Sequence, residues 1–334
     1  MPEPLIQRIA FIPDIDIPDP AIYHYIIYAI LIILLVYLVA RYQAGTLAKT
    51  RRLLREKESA YEKIERQREE LENKNRNITD SLIYASYMQQ ALLPSEDYFK
   101  SIVPDSFIFF KPKDIVSGDF YWITKKDGKI FVVAADCTGH GVPGALMSMI
   151  GVELLNKIIL DQNILNPAEI LEILARGISR TFRNQSDSKD LLMDGIDIGL
   201  CAIDEHRAEL QYSGAFFPLY LIRDNKLTEI KGDRFSAGAR HQVSFTNNSM
   251  IILPGDIMYL FSDGYSDQFG GPANKKFMYR RFRHLLLTIH KFPLEEQKSI
   301  INDSIEVWKN GHDQVDDMIV IGIRPAVGLK SADR

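Results

Sequence analysis

VVAADCTGHGVPGALMSM, from Val132 to Met149, decides how the rest of the chain is read. It opens as a short apolar run, which reads as a strand, and stops at Asp136. A glycine-containing turn follows, Gly139 to Gly141, and a second apolar run begins behind Pro143. Proline is at home in the first turn of a helix. The stretch therefore predicts a strand, a tight turn and a buried helix over Gly144 to Leu160, with a carboxylate at the strand end.

On either side, short apolar or alternating runs are separated by turn residues. They predict strands at Ser106 to Lys111, Phe120 to Lys125, Lys129 to Asp136, Ile198 to Asp204, Glu209 to Ser213, Pro218 to Arg223, Gln242 to Asn247, Asp256 to Ser262 and Met318 to Arg324. Lys126-Asp127-Gly128, Asp204-Glu205 and Arg223-Asp224-Asn225 read as hairpin turns. Helices are expected at Pro167 to Arg183, Asn274 to Ile289 and Leu294 to Lys309. Hairpins favour antiparallel sheets, whereas doubly wound folds need regular crossover helices. The fold class is α+β.

Four aspartates stand beside glycine or at strand ends: Asp119 in VSGDFYW, Asp136, Asp263 in YLFSDGYSD, and Asp316 in HDQVDDMIVIG. Strand ends bring distant parts of a chain to one edge of a fold. Gathered carboxylates repel one another unless cations neutralise them, and oxygen donors favour Mg²⁺ or Mn²⁺. Each aspartate also has a plain reading as a turn or cap residue. Gly118, Gly139, Gly141 and Gly264 serve backbone geometry and close approach. The tract GHGVPGA lacks the Lys-Ser/Thr ending of a nucleotide-binding loop, and Cys137 to Ser148 has no arginine for a Cys-x5-Arg loop. His140 reads as a turn or helix-start hydrogen bonder, with proton donation to a leaving oxygen as the alternative.

Toward the N-terminus, AIYHYIIYAILIILLVYLVA (Ala21 to Ala40) holds no Asp, Glu, Lys or Arg. As a helix it rises about 30 Å, enough to cross a bilayer core. Asp14, Asp16 and Asp19 precede it, whereas Arg41, Lys49, Arg51, Arg52, Arg55 and Lys57 follow. That asymmetry puts the C-terminal portion in the cytoplasm and opposes a cleaved signal peptide. From Leu47 to Leu93 the chain reads as one long helix or two joined helices. A seam of Leu47, Leu54, Tyr61, Ile64, Leu71, Ile78, Leu82, Ala85 and Leu92 predicts a dimeric coiled coil, interrupted by Arg68 and Asn75. A solvated single helix is the other reading. The less charged stretch Ser81 to Pro94 is expected to pack on the following domain. The resulting organisation is a short extracytoplasmic segment 1–20, a span 21–40, a linker helix 45–94, a folded domain 95–325 and a tail 326–334.

A net charge of -4 supplies no basic field for nucleic acid, and two cysteines without CxxC spacing exclude a disulfide framework or zinc knuckle.

Taken together, VSGDFYW, AADCTGHGVPGALMSM, FSDGYSD and DDMIVIGI resemble the PPM/PP2C phosphatases, in their bacterial SpoIIE/RsbU-like branch. The likeness runs from Ile83 to Arg324. It implies an α-β-β-α sandwich of two antiparallel sheets flanked by helices. It also implies a centre of two Mn²⁺ or Mg²⁺ ions, with a third weaker site as an option. In that pattern Asp136 bridges both ions, the backbone carbonyl of Cys137 completes one shell, Asp263 and Asp316 hold the other ion, and Asp119 binds directly or through water. Asp317 is the alternative to Asp316, which the resemblance favours because the family places the ligand first in this pair; Asp267, Asp313 and Asp317 are further contributors around the centre. The implied reaction is hydrolysis of phosphoserine or phosphothreonine by a metal-bridging hydroxide. The implied substrate is a small phosphorylated regulatory protein such as an anti-sigma-factor antagonist. Lys111 and Lys113 are the nearest candidates for a basic phosphate contact. A homodimer through the linker and a membrane-protein sensor partner complete the expectation. A catalytically silent adaptor and a histidine-type kinase are the competing classes, and the kinase lacks its paired glycine boxes.

Overall fold

The computed structural model describes residues 20–139, 141–183, 195–239 and 243–326. Contacts divide the chain into two compact units, Met1–Asn77 and Ile78–Arg334.

One helix, α1 (Pro20–Leu92), runs unbroken through the span and the linker. Its first part is long and apolar enough to cross a membrane. Beyond it, Arg52–Glu56 and Arg68–Glu72, both at 2.9 Å, and Lys74–Glu70 at 2.6 Å join side chains one turn apart. Such pairs support a solvated helix by a few tenths of a kcal/mol each, roughly 0.2–0.5. The seam residues Leu47, Leu54, Tyr61, Ile64 and Leu71 are exposed along it. The division at Asn77 assigns the last turns of α1 to the globular unit.

That unit is a four-layer sandwich. The first sheet has the order β2 (Phe120–Lys126), β3 (Lys129–Cys137), β4 (Ile196–Asp204), β5 (Glu209–Ala215) and β8 (Asn248–Ile251). The second has the order β1 (Ser106–Lys111), β12 (Met318–Ile323), β9 (Ile257–Phe261), β6 (Leu219–Arg223) and β7 (Lys226–Ile230). Every pairing in both sheets is antiparallel. A two-residue ribbon, β10 (Phe269–Gly270) with β11 (Lys275–Lys276), stands apart. Helix α2 (Glu96–Ile102) packs beside β1 and β2, capped by Ser95, whose Oγ accepts from the Tyr98 amide at 3.1 Å.

Strand β3 shows why its sequence is a continuous apolar run. Phe131, Val133 and Ala135 face one core with α3 (Val142–Leu155) and α4 (Pro167–Arg183). Ile130, Val132 and Ala134 face the core between the sheets. Side chains alternate along a strand, so a strand covered on both faces must be apolar at both parities. The second sheet turns its outer face to α5 (Gly264–Asp267), α6 (Met278–Ile289) and α7 (Leu294–Lys309), where a third core gathers Tyr220, Phe261, Tyr265, Phe282 and Ile305.

The hairpin turns read from the sequence carry left-handed residues, Asp127 and Gly128 between β2 and β3, and Asp224 and Asn225 between β6 and β7. That backbone matches the twist of paired strands. Three expectations are corrected and one strand is added. Residues 243–247 are not a strand. The edge partner of β5 is Asn248–Ile251 instead, and Gln242 lies outside the described residues. Lys226–Ile230, too polar to stand out, is a strand because it pairs with β6. Helix α3 starts at Val142 rather than Gly144, and it passes at Asn156 into a wider π-helical turn ending at Asp161. The segment Val142–Asp161 is apolar enough for a membrane, but half of its most apolar window is buried, as a core helix requires. Helix α6 begins at Met278, because Lys275 and Lys276 are drawn into the small ribbon.

Candidate active site

All four signal aspartates lie at one end of the sandwich, because antiparallel neighbours put a strand's end beside the next strand's start. Asp119 immediately precedes β2, Asp136 is near the end of β3, Asp263 follows β9, and Asp316 precedes β12. Asp136, Cys137, Thr138, Gly139, Asp316 and Asp317 line a cleft of about 210 Å³. One more carboxylate lines it: Asp197 of β4, directly opposite Asp136 in the ladder.

The surrounding chain is tied down by backbone contacts. Asp317 is buried, and its two oxygens accept from the amides of Lys113 at 2.7 Å and Gly118 at 2.8 Å. It thus anchors the loop that carries Asp119. Its own amide donates to Asp316 Oδ1 at 2.9 Å, which orients the neighbouring carboxylate. Thr138 and Gly195 bond reciprocally, Oγ1 to carbonyl and amide to Oγ1, both at 2.7 Å, closing the turn after β3 against the start of β4. Ser262 Oγ accepts from the Ile319 amide at 3.0 Å, joining the motif on β9 to the start of β12. A Cβ on Gly118 would lie 3.0 Å from the Gly139 carbonyl and 3.2 Å from the Cys137 carbonyl, so the Asp119 loop rests against the turn after Asp136. A Cβ on Gly264 would overlap the Asp317 carbonyl. Gly139 and Gly141 have φ of 92° and 69°, a conformation that strains other residues.

The electrostatics record the crowding. Asp119 is 1% exposed, and burial followed by the charge of Asp136 raises its pKa well above the usual carboxylate range. Asp136 is pushed up to about 8 by burial and then by Asp263, Asp316 and Asp197, while sharing a hydrogen bond with Asp119. Asp263 rises to about 6 through desolvation by its surroundings and then through Asp267 and Asp316. Burial likewise raises Asp197. Four carboxyls thus resist ionisation around a cleft that holds no balancing lysine or arginine among its lining residues. Burial also pushes the Cys137 thiol far up, which removes it as a thiolate nucleophile.

The donor set suits hard divalent cations. Asp119 Oδ2 and Asp197 Oδ1 are buried without a hydrogen-bond partner, and the remaining donors are carboxylate and carbonyl oxygens. Among the described residues, no three of His, Cys, Asp or Glu form a ready-made ion cage. The cleft collects the carboxylates without closing them.

The other candidates separate. Asp267 pairs with Lys276 at 2.6 Å beside Asp263. Asp313 is exposed and enters the structure through its carbonyl, which accepts from Gln268 Nε2 at 2.9 Å. His140 lies outside the described residues. Lys111 is paired with Glu306 of α7 and is not among the residues lining the cleft. Sequence reading missed Asp197. Its flank, GIDIGL, has the same form as the other motifs, an aspartate within an apolar strand next to glycine, and that was the available signal.

The family model of Stage II sporulation protein E (SpoIIE) matches residues 126–325. The SiaA-PP2C domain of Pseudomonas aeruginosa is 31% identical with a TM-score of 0.68, over 75% of this chain and 98% of that one. The PP2C phosphatase domain of SpoIIE from Bacillus subtilis is 17% identical with a TM-score of 0.54, over 66% of this chain and 63% of that one, and shares the fold. Phosphoserine phosphatase RsbU of Bacillus subtilis (strain 168) is 26% identical over 160 residues, which are 47% of this chain and 44% of the relative. The chain therefore spans less than half the length of that curated relative. With the two-sheet sandwich and the aspartates of four separated motifs at its open end, the chain belongs to the SpoIIE family of PP2C-type phosphatase domains.

Proposed function

We propose that the chain is a membrane-anchored, metal-dependent phosphoserine/phosphothreonine protein phosphatase whose catalytic domain faces the cytoplasm. The observation that carries this reading is the convergence of Asp119, Asp136, Asp197, Asp263 and Asp316 at the mouth of a PP2C sandwich, where burial and then neighbouring carboxylates raise the pKa of Asp119, Asp136 and Asp263. Such crowding is costly unless divalent cations are bound. Asp136, the most strongly flanked of these carboxyls, would hold Mn²⁺ or Mg²⁺. The Cys137 carbonyl, Asp119, Asp263 and Asp316 would supply the remaining oxygen donors, including those for a third, weaker site. When bound, the ions acidify a water molecule and offset the charge of the phosphate.

The protein's own part is positional. Asp317 holds the Asp119 loop, its amide orients Asp316, and Ser262 joins the Asp263 strand to the Asp316 strand. Carboxylates fixed in this way lose little conformational freedom on loading, which favours a single geometry for in-line attack. The phosphoserine activity named for RsbU supports a phosphorylated regulatory protein as substrate. The apolar start of α1 supports a bilayer anchor, and the exposed seam supports a homodimer with the signal arriving through a membrane partner.

The test is dephosphorylation of a phosphoserine peptide and an aryl phosphate by the detergent-solubilised chain, with Mn²⁺, with EDTA, and as Asp136→Asn. Activity that requires Mn²⁺ and disappears in the variant is expected. A folded full-length protein that neither binds Mn²⁺ nor hydrolyses either substrate overturns the reading in favour of a silent adaptor.

A further inference from the structure

From Phe269 to Pro293 the chain contains no Asp or Glu, yet Lys275, Lys276, Arg280, Arg281, Arg283 and Lys291 fall within it. In a chain of net charge -4 that is a local reversal of sign. Most of it belongs to the ribbon strand β11 and to α6, whose first turn carries Arg280 and Arg281. Cations at a helix N-terminus oppose the helix dipole. Met278, the first residue of α6, is exposed and has φ of 73°, a costly conformation for a residue with a side chain. Neither the opposed dipole nor the strained backbone stabilises the fold.

Some of these cations are engaged. Lys276 pairs with Asp267, Arg281 stacks on the Trp308 ring at 4.6 Å, and Arg283 bonds Glu229 and, at 2.8 Å, Tyr220 Oη. Lys275 and Arg280 are exposed and have no ion partner among the described residues. Arg280 lines a groove of about 1180 Å³ that follows α6 from Phe277 to Thr288 and is bounded by Ser304 of α7. Met278, Tyr279, Leu285 and Leu287 give that groove an apolar surface.

The groove starts beside the carboxylate cleft. The Tyr279 ring lies 6.3 Å from that of Phe261, two residues before Asp263, and its hydroxyl is bonded to Ser266 in the turn that follows Asp263. At the other end of α6, His290 Nε2 meets Asn225 Oδ1 at 3.0 Å in the hairpin between β6 and β7. Strands β6 and β9 are antiparallel, so that hairpin is at the end of the sandwich away from Asp263. The groove therefore leads from the cleft along a helix about 18 Å long.

We propose that this groove holds the segment of the protein substrate that flanks its phosphorylated residue, and that this segment carries acidic side chains among apolar ones. The inference rests on the phosphatase reading and adds the chemistry by which the substrate is selected. Cations at the rim favour an acidic partner, and the apolar surface takes the side chains between the charges. A second copy of this chain is disfavoured, because the same basic face would be set against its own charge. The hollow is concave, which suits an inserted chain segment rather than a lipid surface.

The experiment uses the full chain in non-ionic detergent, as wild type, as Arg280→Gln and as the double variant Lys275→Glu/Arg280→Glu, with folding followed by tryptophan fluorescence. The probes are an aryl phosphate and two phosphoserine peptides of equal length. One peptide carries Glu and Leu on both sides of the phosphoserine, and the other has Lys in place of each Glu. With Mn²⁺, wild type should hydrolyse the acidic peptide with a kcat/KM about tenfold above that of the basic one, mainly through KM, and added salt should narrow the gap. The double variant should reduce the gap to about twofold or less and leave aryl phosphate hydrolysis within about twofold of wild type. A wild type that turns over both peptides alike, or a folded double variant that keeps the preference, overturns the inference and leaves the phosphatase reading standing. If the double variant unfolds, Arg280→Gln decides, and an undiminished preference there overturns it. If no substrate is hydrolysed, the phosphatase reading fails, and fluorescence anisotropy of the labelled acidic peptide decides the groove. Binding that the substitutions weaken upholds it, and binding that they leave unchanged, or no binding, overturns it.

Discussion

Replacing Asp136 by asparagine should stabilise the metal-free protein while abolishing its response to metal. The carboxyl of Asp136 is raised from 3.8 to about 8 by burial and by three neighbouring carboxylates. A carboxyl raised in the folded state contributes relative stability that is complete below its unfolded pKa and is lost as pH climbs to the folded value. The window is therefore about pH 4 to 8, and metal-free stability should fall across it. At about 1.4 kcal/mol per pH unit, the loss accumulated by pH 7 is about 4 kcal/mol if Asp136 bears it alone. Protons shared with Asp119 and relaxation of the cleft spread that cost, so Asp136→Asn should gain about 2 kcal/mol at pH 7 and nothing near pH 4. Both tryptophans, Trp122 and Trp308, lie in the globular unit, so their fluorescence reports its unfolding without interference from α1. Guanidinium titrations in EDTA at several pH values would measure the gain. Repeating them with Mn²⁺ should stabilise wild type, most strongly at high pH where fewer protons must leave, and leave the variant unmoved. An Asp136→Asn protein that is less stable than wild type in EDTA at pH 7, or one that still gains stability from Mn²⁺, would refute the reasoning.

Asp197→Asn should weaken Mn²⁺ binding by about tenfold, as measured by calorimetry, because it removes a carboxylate facing Asp136 across the ladder; unchanged affinity would make Asp197 a bystander. Gly264→Ala places a methyl group on the Asp317 carbonyl and should cost about 1–3 kcal/mol in chemical denaturation, with a matching loss of activity. Asp256 is 1% exposed and takes Arg223 Nε at 2.8 Å and a terminal guanidinium nitrogen at 2.6 Å, far from the cleft. Asp256→Ala should therefore cost about 1–3 kcal/mol of stability and leave Mn²⁺ affinity as it was.

Much of the site was legible because each motif couples an apolar strand to an aspartate and a glycine, and a strand end is a local property. The hairpins at Asp127-Gly128 and Asp224-Asn225 were legible for the same reason, since a left-handed turn imposes its residues directly. Strand β7 was not, because Lys226–Ile230 owes its conformation to pairing with β6 rather than to a pattern of its own. Asp197 escaped because its importance comes from its register partner, Asp136, sixty-one positions away. Asp316 and Asp317 could be ordered only by likeness to a family; the structure gives Asp317 the Lys113 and Gly118 amides and leaves Asp316 lining the cleft as well.

By itself, then, the sequence determined the apolar helix near the N-terminus, the antiparallel α+β class, and four acidic positions with the right donors for hard cations. These follow from periodicity, turn chemistry and side-chain type, which act over a few residues. Only the tertiary structure decided that Asp136, Asp197, Asp316 and Asp317 line one cleft, that Lys111 is engaged with Glu306, and that Ser86 and Gln89 are the buried residues in the last turns of α1. Each of those depends on which strand lies beside which, and on which polar group loses its water when they meet. Both are set by packing between segments far apart in the chain.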